Sequence, residues 1–75
     1  MDIMELQKTF VANLRAMLAE HGLTQSELAG RLGVTPAYVS QLLSGHRTPQ
    51  LETLEKLAKA MNCQAAELIS EKVAT

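Results

Sequence analysis

A chain of 75 residues with a formal net charge of −1 leaves room for one domain, near the lower size limit for folding without staples. Apolar residues make up 47%, with one Tyr, one Phe and no Trp, so a core of Leu, Ala, Val and Met carried on helices is expected. The single Cys63 excludes an internal disulfide and any cysteine-based metal cluster, which suits a reducing compartment.

The first helix is expected to start at Asp2 or Ile3 and to run to Glu20. Leu6, Phe10, Leu14, Met17 and Leu18 repeat at spacings of three and four and define its inward face. His21-Gly22 ends it, and Leu23 is expected to drop into the core. Thr24 with Glu27 three residues on forms a capping box that opens a second helix, Gln25 to Leu32, with Leu28, Ala29 and Leu32 inward. Gly33 stops that helix because glycine adopts a left-handed backbone without steric cost. Val34 is read as a buried plug in the turn. Thr35 is a natural N-cap, and Pro36 fits the first position of a third helix, where its missing N–H is not needed. Val39, Leu42 and Leu43 face inward from it, and Ser44-Gly45 ends it.

His46-Arg47-Thr48-Pro49 reads as a polar loop into a fourth helix, whose apolar stripe is Leu51, Leu54, Leu57, Ala58 and Met61. Asn62 falls where a left-handed residue commonly follows the last turn, and Cys63 reads as a small core residue rather than as chemistry. A short fifth helix, roughly Ala65 to Ser70, presents Leu68 and Ile69. The tail from Glu71 to Thr75 has little to bury except Val73. Five helices around one small core give an all-α orthogonal bundle over residues 1–75 as a single domain.

Helix, glycine turn and capped helix form the helix-turn-helix signature over residues 24–45, and in that motif the second helix enters the major groove of DNA. Gln25, Leu28, Ala29, Gly33, Val34, Val39, Ser40 and Gly45, at this spacing, resemble the lambda-repressor-like family of Cro and phage repressors. The resemblance extends from about Leu14 to Ile69. It implies a double-stranded DNA partner and assigns Gln25, at the start of the second helix, to a phosphate. Free N–H groups and the helix dipole favour an anion there, although a residue chosen only to start a helix also fits. Many relatives pair an Arg late in helix one with a Glu at the end of the recognition helix. The matching residues here are Leu18 and Leu43, which are expected to be buried and in contact, so that Leu43→Glu alone would bury an unpaired carboxylate.

With Val39, Leu42 and Leu43 inward, Pro36, Ala37, Ser40 and Gln41 lie on the outer arc of the recognition helix. Ala37 and Gln41 share the groove face, an arrangement the family resemblance supports. A Gln bonds adenine bidentately, and Ala or Pro touches a thymine methyl. Tyr38 offers its hydroxyl to phosphate or base, or packs its ring on Leu42. Thr24 and Thr35 sit at helix starts, and Ser44, His46, Arg47 and Thr48 follow the helix as donors to the backbone, Arg47 foremost. Loss of Gln41 is thus expected to affect base choice, and loss of Arg47 to weaken all duplexes alike.

Charge offers only modest support, since residues 24–50 hold Glu27 against Arg31 and Arg47, a balance of +1. No Ser-His-Asp set, metal-ligand spacing or glycine-rich phosphate loop appears, so no catalytic residue, cofactor, metal or small-molecule ligand is expected. No apolar run spans a bilayer and no signal-peptide pattern opens the chain, so the sequence reads as cytoplasmic. The expected function is a sequence-specific transcriptional regulator, a repressor acting as a homodimer on a palindromic operator. Its rival is a protein-interaction module, antitoxin-like or an anti-regulator, that keeps the fold without binding DNA. Leu68, Ile69 and Val73, with Met1, Ile3 or Met4, are the expected dimer contact, unless Leu68 and Ile69 simply close the core.

Overall fold

The computed structural model describes residues 3–70. Its elements are α1 (Ile3–His21), α2 (Gln25–Leu32), α3 (Pro36–Ser44), α4 (Leu51–Ala60) and α5 (Ala65–Ile69). The architecture is the expected five-helix all-α bundle, and the bounds read for α1, α2, α3 and α5 fall within a residue of those observed. The readings that concern Asp2, Val73, the tail beyond residue 70 and the side chains of Met1, Ile3 and Met4 lie outside the described residues.

Phe10, Leu14, Leu28, Val39, Leu42, Leu57, Met61 and Leu68 are fully buried, so every helix contributes to one core. The long α1 packs against α3 and α5, while α2 lies against α3 and α4. Leu18 and Leu43 are both buried members of this core, as their matched apolar character implies. Asn62 takes the left-handed conformation expected of it, with φ 54°.

Several side chains depart from expectation. Leu6 is 38% exposed because the bundle covers α1 fully only from Phe10 onward, one turn later. Leu51 is 79% exposed: it opens α4 beyond the edge of the core, and the inward stripe begins at Leu54. Leu23 and Val34 pack against the core but stay half-buried, since each lies in a connection rather than beneath a helix. Leu68 is buried within the single chain, so it closes the core and is not available as a dimer contact; Ile69 is half-buried beside it.

Sequence reasoning passed over Asn13, the one buried polar residue among those described. Its side-chain N–H groups donate to the carbonyls of Glu67, Leu68 and Ser70 at 3.2, 3.0 and 2.9 Å. These carbonyls belong to the last turn of α5 and its C-cap Ser70, so one amide ties a five-residue helix to α1.

Candidate nucleic-acid interface

The two central helices are held at their ends by local chemistry. The Thr24 hydroxyl accepts from the Glu27 N–H at 3.1 Å, and the Thr24 N–H donates to the Glu27 carboxylate at 3.0 Å. The Thr24 backbone N–H, with the Thr24 hydroxyl adding to it, stabilises the charged form and lowers the Glu27 carboxyl pKa from its ordinary value. At the turn, Gly33 has φ 71°, a conformation a β-carbon would strain. The Val34 N–H then closes back on the Ala29 carbonyl at 3.0 Å. The Thr35 hydroxyl accepts from the Tyr38 N–H at 3.2 Å, and Pro36 opens α3. Thr24 and Thr35 are therefore caps first; the Thr24 hydroxyl hydrogen serves Glu27, while the Thr35 hydroxyl keeps its own to donate.

Burying Val39, Leu42 and Leu43 turns Pro36, Ala37, Ser40 and Gln41 to the surface, all exposed as the helical period requires. Gln25 is exposed at the start of α2, and His46, Arg47 and Thr48 are exposed beyond α3. The far end of α3 is braced from α1 by two residues that sequence reasoning did not single out. Gln7 donates to the Gly45 carbonyl at 2.8 Å, and Arg15 donates to the Leu43 carbonyl at 3.1 Å. A cation at a helix C-terminus is a recognisable pattern, but here it comes from another helix and leaves no local spacing to read.

Tyr38 is half-buried, and its hydroxyl hydrogen-bonds the Thr53 hydroxyl at 3.2 Å, so it joins α3 to α4 instead of standing free on the groove face. The Arg47 guanidinium lies over the Tyr38 ring, 5.0 Å from its centroid. The Arg47 Nε–H also donates to Gln41 Oε1 at 2.9 Å. Gln41 and Arg47, expected to act independently, are thus joined. The Ser44 hydroxyl donates to the Gln41 carbonyl at 3.1 Å and lies 2.8 Å from His46 Nδ1. With that hydroxyl hydrogen in use, the contact is made by Nδ1–H donating to Ser44. Tyr38, Gln41, Ser44, His46 and Arg47 consequently form one connected polar surface at the end of α3. Away from it, burial pushes the Cys63 thiol up, with the Glu67 charge adding to the effect, so little thiolate forms there.

The geometry is that of a helix-turn-helix unit, and comparison with known proteins agrees. A helix-turn-helix family model matches residues 14–68, and the chain belongs to this lambda-repressor-like family of transcriptional regulators. Among its relatives, the uncharacterised HTH-type transcriptional regulator y4dJ of Sinorhizobium fredii is 36% identical over 67 residues, covering 89% of this chain and 87% of that protein. The cryptic phage CTXphi transcriptional repressor RstR of Vibrio cholerae is 37% identical over 62 residues, covering 83% of this chain but 56% of RstR. In structure, the chain resembles the hypothetical transcription factor NHTF from Neisseria, with a TM-score of 0.84 and 29% identity over 88% of this chain and 76% of that one. None of the described helices is long and apolar enough to cross a membrane.

Proposed function

We propose that this chain is a cytoplasmic transcriptional repressor that binds a near-palindromic DNA operator as a homodimer. The observation that carries the reading is the exposed face of α3. Pro36, Ala37, Ser40 and Gln41 stand outward on a helix fixed by caps at both ends and braced from α1. A helix presented in this way fits the major groove, where Ala37 and Pro36 meet thymine methyls and Gln41 meets a base edge. Gln25, with Thr24, Thr35 and the free N–H groups at the start of α2, faces one stretch of phosphates. Arg47 and Thr48 face the other, with Ser44 and His46 bonded to each other beside them. Tyr38 acts by supporting Arg47. Two-fold pairing doubles the few base pairs one such helix reads, and the name of RstR supports repression over activation.

A gel-shift series tests the reading, using duplexes selected from a random library at increasing salt. Enriched sites are expected to hold inverted half-sites about 10–10.5 base pairs apart, centre to centre. Log affinity is expected to fall linearly with log salt as phosphate contacts release counterions. A chain that shifts no duplex even at low salt is a protein-interaction module instead.

A further inference from the structure

From the contact between Arg47 and Gln41, we infer that the recognition surface selects guanine where an isolated Gln would select adenine. The inference rests on α3 entering the major groove and refines what it reads there. Arg carries donors only, so the Gln41 atom 2.9 Å from Arg47 Nε is necessarily the amide oxygen. The Gln41 amino group is thereby turned away from Arg47, and its hydrogens are free to donate. Bidentate recognition of adenine needs the amide oxygen to accept from N6–H while the amino group donates to N7. Arg47 occupies one side of that oxygen and places a positive charge beside it, which disfavours the approach of a further donor hydrogen. Guanine has the opposite need, since its major-groove edge presents two acceptors, N7 and O6.

The guanidinium is held where this matters. It stacks 5.0 Å from the Tyr38 ring centroid, and the Tyr38 hydroxyl is tied to Thr53, so the ring beneath Arg47 is anchored to α4. The bond to Gln41 uses only Nε–H, which leaves the terminal N–H groups of Arg47 to donate. The Gln41 amino group and the Arg47 fork thus make a surface composed of donors. Arg47 acts on specificity by fixing which way the Gln41 amide points, besides contributing charge.

The test uses the wild-type protein and Arg47→Met on duplexes from the selection, each purine of a half-site being replaced in turn. Because both residues are exposed, Arg47→Met is expected to keep its helical circular dichroism. At one position the wild type should prefer guanine, and 7-deazaguanine there should weaken binding roughly 5- to 150-fold. Arg47→Met releases the Gln41 oxygen, so its preference at that position should move to adenine and become sensitive to removal of the N6 amino group. A wild type that prefers adenine there, and loses affinity when the N6 amino group is removed, overturns the inference while leaving DNA binding intact. The same holds if Arg47→Met weakens all duplexes equally without changing base preference. Failure of the wild type to bind any duplex at low salt overturns the DNA-binding reading together with this one.

Discussion

Asn13 shows how much one side chain holds in a core this small. Its amide satisfies three carbonyls at the end of α5. Asn13→Ala removes the donor those acceptors share and is expected to destabilise the fold by about 1–3 kcal/mol. Asn13→Asp keeps the shape but points carboxylate oxygen at carbonyl oxygen, so it should cost more than the alanine. Urea unfolding of the two variants checks both the loss and the order, and a neutral Asn13→Ala would show that the clamp does not hold α5. The role was not legible in the sequence. Asn13 interrupts an apolar face, and its partners are 54 to 57 residues away, so spacing along α1 says nothing about them. Gln41 was legible as an outward residue from the period of α3, whereas its bond to Arg47 depends on how the chain turns after Gly45.

At the scale of elements, the helix boundaries were legible because caps are local. Thr24 with Glu27, Gly33, and Thr35 with Pro36 each act within a few residues of themselves, and the structure realises them all. At α5, Gln64 and Glu67 repeat the same spacing, a start that the sequence reading passed over, and the Gln64 N–H donates to the Glu67 carboxylate at 2.8 Å. The cap at α2 carries a pH dependence of definite sign. Glu27 has its folded pKa lowered, so its contribution to stability is fully present above the unfolded value and is lost as pH falls through the folded one. Glu27→Gln preserves the hydrogen-bonding shape without the titration. The stability advantage of the wild type at neutral pH is expected to vanish in strong acid, which urea midpoints of the two proteins across that range will show. An advantage that persists below the lowered value would mean that the charge of Glu27 is not its source. Coverage was harder to read than boundaries. Leu6 and Leu51 satisfy the helical period but lie where no neighbouring helix reaches over them.

For the molecule as a whole, the five-helix architecture followed from the motif and the stripes, but the dimer contact did not. Burial of Leu68 changes what its substitution reports. Leu68→Ser is expected to unfold the chain, at a cost of about 2–5 kcal/mol, and therefore says nothing about association. Ile69→Ser is the informative variant, because Ile69 is only half-buried. Sedimentation should show it folded and more weakly self-associated than the wild type; unchanged association would place the two-fold contact elsewhere. The central claim remains that α3 is the element that meets DNA. The measurement that tests it most directly is a two-dimensional amide NMR titration of the protein with a selected duplex. Shifts are expected to concentrate at Gln25, at residues 35–41 and at residues 44–48, with the far surface of α4 and α5 little changed. Shifts centred on α4 and α5, or none at all, would contradict it.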